Sequence, residues 1–76
     1  MKELLNFILK NALGPDVEFS VDQSEDEHGI VFTINLPMEE RGKVIGKGGR
    51  NIKAIRDILN IVARRENKRV FLKIAD

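Results

Sequence analysis

Residues 44–55 read Val44-Ile45-Gly46-Lys47-Gly48-Gly49-Arg50-Asn51-Ile52-Lys53-Ala54-Ile55. Extended back to Arg41, Gly42 and Lys43, the run places four glycines and four basic residues in the ten positions 41–50. Glycine permits positive φ and lets other atoms approach the backbone closely. The run also leads into an isoleucine pattern of helical spacing, so it delivers the chain to a helix N-terminus, where unpaired N–H groups and the dipole favour an anion. Lys47 and Arg50 stand where both can meet that anion. A phosphate-binding loop fits this chemistry, and so does a plain helix cap followed by a tight turn. Two nucleotide motifs are excluded. A nucleotide P-loop would need glycine where Arg41 stands and a hydroxyl where Gly48 stands. The dinucleotide fingerprint needs a different glycine spacing, directly after a strand.

Working outward, a short helix is expected from Met38 to Ile45, ended by the glycines. A longer one is expected from about Arg50 to Glu66, with Ile52, Ile55, Ile58, Leu59 and Val62 on one stripe facing the core. Lys53, Arg56, Asp57, Asn60 and Arg64 take its other face. Val70, Leu72 and Ile74 then alternate with Phe71 and Lys73 as a closing strand. Upstream, Leu4, Leu5, Ile8, Leu9, Ala12 and Leu13 predict a helix that Gly14-Pro15 stops. Val17, Phe19 and Val21 predict a strand, residues 23–29 (QSEDEHG) an acidic connector, and Ile30, Phe32, Ile34 and Leu36 a second strand ended by Pro37. The two strands read as a hairpin. The fold class is therefore α+β in the order α-β-β-α-α-β, with helices on one face of a three-stranded sheet.

The run Val44 to Gly49, followed by Arg50-Asn51-Ile52-Lys53-Ala54-Ile55, resembles the V-I-G-x-x-G-x-x-I-x-x-I signature of KH domains. The element order is similar to the type II, prokaryotic arrangement, and the resemblance covers essentially all of residues 1–76 as a single KH domain. The chain looks like the small stand-alone bacterial KH proteins of the KhpA kind. In KH domains the G-x-x-G loop clamps the backbone of about four nucleotides. The resemblance implies that Gly46, Lys47, Gly48 and Gly49 form the clamp on single-stranded RNA, flanked by Arg50, Lys53, Arg41 and Lys43. It places Val44, Ile45, Ile52 and Ile55 in an apolar groove floor, with an edge of the second strand as the far wall and the acidic connector in the variable loop beside it. Bases in the family lie mainly against aliphatic surface, which suits a chain with no Trp, no Tyr and four Phe. The family also implies an RNA chaperone or post-transcriptional regulator. A second reading is an interaction module that forms a homodimer or pairs with a larger KH-containing protein of the Jag/EloR kind.

Length and composition bound the rest. Seventy-six residues with 42% hydrophobic and 33% charged side chains suit one small folded domain, which buries only about 60% of its unfolded surface and leaves little room for an enclosed active site. Without cysteine there are no disulfides or thiolate metal sites. Apolar runs reach three residues at most, far below the ~18 of a membrane span. The start MKELLNFILK carries charges within its apolar stretch and no small-residue cleavage site, so no signal peptide is expected. The expected location is the cytoplasm.

The net charge of +1 conceals a division. Residues 1–40 hold two basic and nine acidic residues, a net −7, and residues 41–76 hold eleven basic and three acidic, a net +8. In a domain with one core this means a basic and an acidic face, and a polyanion suits the basic one. Arg64, Arg65, Lys68 and Arg69 either extend that face or compensate a helix C-terminus. No catalytic residue, metal ligand, cofactor or small-molecule substrate is expected. The single histidine, His28, lies in the acidic connector, Ser20 and Ser24 lack a nucleophile's context, and Glu39-Glu40 reads as compensation of a helix N-terminus.

Overall fold

Leucines four residues apart start the fold. Helix α1 (Lys2–Leu13) buries Leu5, Leu9 and Leu13, with Leu4 and Ile8 packed partly buried beside them, an apolar stripe on a helix whose opposite face is in water. Gly14, at φ 92, ends it with its N–H on the Lys10 carbonyl. The computed structural model describes residues 1–75.

Strands β1 (Ser20–Asp26) and β2 (Gly29–Asn35) pair antiparallel from Ser20↔Asn35 to Asp26↔Gly29. This corrects the sequence reading on two points. Val17 and Phe19 pack against the core outside the ladder, and most of the expected acidic connector is strand, joined to β2 through Glu27 and His28 alone. The cause is that β1 is an edge strand, with Val21 its one buried residue. Backbone pairing holds it while most of its side chains stay wet, so hydrophobic alternation marks only its start, at Val21. Asp26 sets the turn, its Oδ1 accepting from the backbone N–H of His28 (2.7 Å) and Gly29 (3.2 Å), the Asx device typical of tight turns.

After β2, a short 3₁₀ turn (Met38–Glu40) leads into α2 (Arg41–Ile45), a glycine turn (Lys47–Gly49) and α3 (Arg50–Arg64). Strand β3 (Val70–Ile74) then lies parallel to β2, in register from Ile30↔Val70 to Ile34↔Ile74. Parallel neighbours need a crossover, and the two helices supply it. The sheet order β1-β2-β3 puts β2 in the centre. Ile30, Phe32 and Ile34 of β2 point to the helices and are buried with Val44, Ile55, Leu59, Ala63 and Val70. At Gly29 a Cβ would stand 2.2 Å from the Arg69 carbonyl oxygen, which accepts the Ile30 N–H at 2.8 Å. Only glycine lets the hairpin and the start of β3 approach this closely. Nearby, Lys68 Nζ meets Glu25 Oε1 at 2.8 Å, and that hydrogen bond raises the lysine above its ordinary value of 10.5.

No described helix is long and apolar enough to cross a membrane. The α-β-β-α-α-β order and the one-sided helix layer agree with the type II KH arrangement.

Candidate nucleic-acid interface

Gly46 closes α2, donating its N–H to the Gly42 carbonyl at 2.8 Å. Its φ of 75° with ψ of 171° lies in backbone space that is essentially glycine's alone. A Cβ there would sit 2.6 Å from Asn51 Cγ and 2.9 Å from Asn51 N. That proximity has a use: Asn51 Nδ2 donates to the Lys43 carbonyl at 3.0 Å, fastening the first turn of α3 to the last turn of α2. Gly48 (φ 67, ψ 19) and Gly49 (φ 79, ψ 14) are both left-handed and reverse the chain. Nothing lies within 4 Å of a Cβ built on either, so the outer side of the loop is open to another molecule.

The loop opens onto the N-terminus of α3, which no side chain caps. Its first-turn N–H groups and the positive end of its dipole are thus available to an anion. Lys47, Arg50 and Lys53 are exposed beside it, and among the described residues none has a carboxylate partner.

The other expected site residues fare differently. Arg41 gives Nη2 to the Ala75 carbonyl at 2.7 Å, tying α2 to the end of β3. Lys43 pairs with Glu40 at 2.9 Å, three residues before it on the same turn. Val44 is sealed in the core at 0% exposure and Ile55 at 6%, so neither offers a base any surface, correcting their placement in a groove floor. Ile45 and Ile52 remain half-buried at the two sides of the loop. His28 is exposed beside Glu27 at 3.7 Å, and no cluster of metal-ligating side chains occurs among the described residues.

The far wall also needs correcting. With both edges of β2 paired, it presents no edge to a ligand; the free edge beside α3 is that of β3. Arg69 O accepts from Ile30 N and Ala75 N donates to Ile34 O, so the alternation of a parallel ladder turns Val70, Leu72 and Ile74 outward. Val70 is already taken: its N–H donates to Asn60 Oδ1 at 2.8 Å and its carbonyl accepts from Asn60 Nδ2 at 3.2 Å. Leu72 is the next outward position. The acidic hairpin tip lies at the end of β1 and β2, and the loop flanking this edge is residues 65–69.

Helix α3 therefore has three faces. Ile55, Leu59 and Ala63 fill the core. Lys53, Asp57, Asn60 and Arg64, spaced by three and four residues, run along the side toward β3. On the third, Ile58 (45% exposed), Ile61 (61%) and Val62 (37%) face out, where the sequence reading had Ile58 and Val62 in the core. Asn51 and Asn60 were missed as candidate positions, because an amide that binds backbone leaves no periodic signal.

The family model for the KhpA/KhpB KH domain matches residues 2–74. The chain is 41% identical over 76 residues to an RNA-binding protein KhpA of Chlamydia pneumoniae, covering 100% of this chain and 97% of that one. It is 40% identical to the KhpA of Clostridium acetobutylicum (97% and 99% covered) and 34% to that of Borreliella burgdorferi (97% and 90%). No solved structure gives a significant match. With the glycine loop, the helices it joins and the mixed sheet all accounted for in one full-length match, the chain belongs to the KhpA/KhpB KH-domain family.

Proposed function

We propose that the chain binds single-stranded RNA in the cytoplasm, gripping the backbone between Gly46 and Gly49, and works as an RNA chaperone or post-transcriptional regulator. As a KH domain it is a binding module and not an enzyme. The observation that carries the reading is the open glycine turn at the uncapped N-terminus of α3, beside which Lys47, Arg50 and Lys53 have no carboxylate partner among the described residues. Phosphate oxygens suit backbone N–H groups and cations together, and Ile45 and Ile52 supply aliphatic surface next to them. The relatives named for RNA binding support the same reading. Fluorescence anisotropy with short single-stranded RNAs tests it. The native protein binds, and a Lys47→Asp, Gly48→Asp variant that keeps its native circular dichroism does not; equal binding by both moves the RNA elsewhere.

A second reading, pairing with another copy or with a larger KH-containing protein, is favoured by the exposed stripe Ile58, Ile61 and Val62. The two are compatible, since a dimer of short RNA grooves gains affinity through effective concentration. Sedimentation showing a strict monomer at high micromolar concentration removes self-pairing.

A further inference from the structure

The sheet has a second free edge, since β1 pairs with β2 on one side only. The two-residue turn Glu27-His28 closes on the pair Asp26↔Gly29, which in such a hairpin exchanges both of its backbone hydrogen bonds. Bonded pairs alternate from there, through Ser24↔Val31 and Asp22↔Thr33 to Ser20↔Asn35. On β2 the complementary residues Ile30 and Ile34 turn their backbone groups to β3. The N–H and C=O groups of Val21, Gln23 and Glu25 therefore point away from β2, and among the described residues no turn or loop pairs with them. Val21 buries its side chain toward the helices, so Ser20, Asp22, Ser24 and Asp26 look out from the other face of the sheet. At the start of the strand lies a shallow open depression of about 410 Å³, lined in part by Glu18, Phe19, Leu36 and Pro37. Residues 16–27 hold six acidic residues and no lysine or arginine. Among the described residues only Glu25 of these is paired with a lysine or arginine, through Lys68.

We propose that the β1 edge takes up an extended, lysine- or arginine-bearing segment of a partner protein as a fourth strand. In such an addition the main chain supplies the pairing and alternate side chains the selection. Asp22 and Asp26 share a face four residues apart, so the segment carries cations at the same interval, with small or β-branched residues between them. Asp22 Oδ2 accepts from Asn35 Nδ2 at 2.9 Å and Asp26 Oδ1 from the turn, which leaves the second oxygen of each to a cation. An aliphatic side chain at the end of the segment fills the depression beside Phe19 and Leu36. Charge decides the occupant. Charged side chains on an edge guard it against pairing with other strands, but here they are all of one sign. A second copy of β1 would bring acidic strand against acidic strand and is refused. The edge of β3 makes the opposite choice. Arg69 and Lys73 flank it and Asn60 already occupies Val70, so a cationic strand goes to β1. The glycine loop stands between α2 and α3, and this edge lies beyond β2 from it, so the two sites are separate.

The probe is a fluorescein-labelled octapeptide with lysines four residues apart, threonine and valine between them and isoleucine at one end. Its control carries glutamate in place of lysine. Anisotropy is read at low salt for native protein, for Glu18→Lys with Asp22→Lys, and for Gln23→Pro. Proline at 23 removes an outward N–H and leaves the ladder to β2 intact, the position at which an edge strand tolerates it. Native protein binds the lysine peptide and not the control, and amide exchange slows at Val21, Gln23 and Glu25. The charge variant loses about tenfold in affinity, because cross-strand attractions become repulsions, and Gln23→Pro loses binding. One variant acts through charge and the other through the backbone, so either decides the matter if the other does not melt like the native protein. Equal binding by native protein and the folded variants overturns the proposal, as does equal binding of the control peptide. So do protection confined to β3 or to the glycine loop, and no binding at low salt. Edge amides that slow with rising protein concentration in the absence of peptide assign the edge to a second copy and overturn it too.

Discussion

Asn60 and Val70 hold each other in both directions: the side-chain oxygen accepts the backbone N–H at 2.8 Å and the side-chain nitrogen donates to the backbone carbonyl at 3.2 Å. The amide thus stands in for a fourth strand over one residue, closing the edge of β3 where it leaves the core. It also sets the spacing between α3 and β3, and hence the width of any groove between them. Val70 is 1% exposed, so the groups that Asn60 serves have little water to turn to.

Asn60→Ala therefore costs about 2 kcal/mol of stability, the penalty for leaving a buried donor and acceptor unserved. Asn60→Asp keeps an acceptor for the Val70 N–H but sets an anion against the Val70 and Arg56 carbonyls. Its charged form is disfavoured in the fold, which raises its folded pKa above the unfolded one. Its stability deficit at neutral pH therefore shrinks as pH falls and the protonated carboxyl regains a donor. Chemical denaturation of the three proteins at neutral and mildly acid pH checks both statements. Equal stability throughout would make the pairing incidental.

Binding at the glycine loop carries a salt signature. If about four phosphates are contacted, single-strand counterion release gives a log–log slope near −2.8, or roughly a 50-fold loss of affinity from 50 to 200 mM salt. Lys47→Asp, Gly48→Asp abolishes the signal without touching the core. Gly48 is left-handed with open space around it, and aspartate is among the residues that tolerate that conformation. Anisotropy titrations at the two salt concentrations are the measurement. A salt-insensitive affinity would remove the phosphate clamp.

The glycines of the loop differ in kind, and substitution separates them. Gly46→Ala combines glycine-only dihedrals with contacts of 2.6 and 2.9 Å to Asn51, and melting falls by the equivalent of about 3 kcal/mol or more. Gly48→Asn meets nothing and costs under about 1 kcal/mol. RNA binding by Gly48→Asn then reports on the loop's surface alone, at nearly native stability. Thermal melts that rank the two the other way would mean that Asn51 does not pack beneath Gly46.

What the sequence disclosed and what it hid have separate physical causes. The glycine run, the stop at Gly14-Pro15 and the helical stripes are local signals, and the structure reproduces the elements built on them. The first strand was expected around Val17, Phe19 and Val21 and lies later, at Ser20–Asp26, because its six polar residues hold their place through pairing with β2, and pairing is a non-local fact. The same non-locality misplaced the wall of the groove: nothing in residues 30–36 says that β3 will join β2 and leave the free edge to itself. On α3 the apolar stripe was visible, but its width exceeds what the sheet and neighbouring helices cover. Periodicity finds Ile55, Leu59, Ile58 and Val62 alike, and only packing decides that the first two are core and the others are not. For Arg41 and Lys43, sequence gives charge and position, while the partners that occupy them, Ala75 and Glu40, appear only once the chain is folded.

That uncovered stripe yields the last prediction. Ile58 and Ile61 are 45% and 61% exposed, three residues apart on one side of α3, away from the stripe that runs toward β3. A second copy meeting this face would bury both side chains twice over. Full burial of a large aliphatic side chain relative to its exposed state is worth about 1.5–3 kcal/mol, and the exposed fraction of each isoleucine supplies part of that. Replacing both by lysine removes the apolar gain and sets like charges against each other across the two-fold axis that a homodimer requires. In sedimentation at high micromolar concentration the native protein runs as a dimer and Ile58→Lys, Ile61→Lys as a monomer, with similar melting of the monomer because neither side chain belongs to the core. Affinity for a short RNA stays unchanged in the variant, since the glycine loop lies at the other end of the helix. Affinity for an RNA long enough to reach two grooves falls, because the second groove is no longer tethered to the first. A native protein that stays monomeric would assign the stripe no role in self-pairing, and a variant that remains dimeric would place the interface on another face.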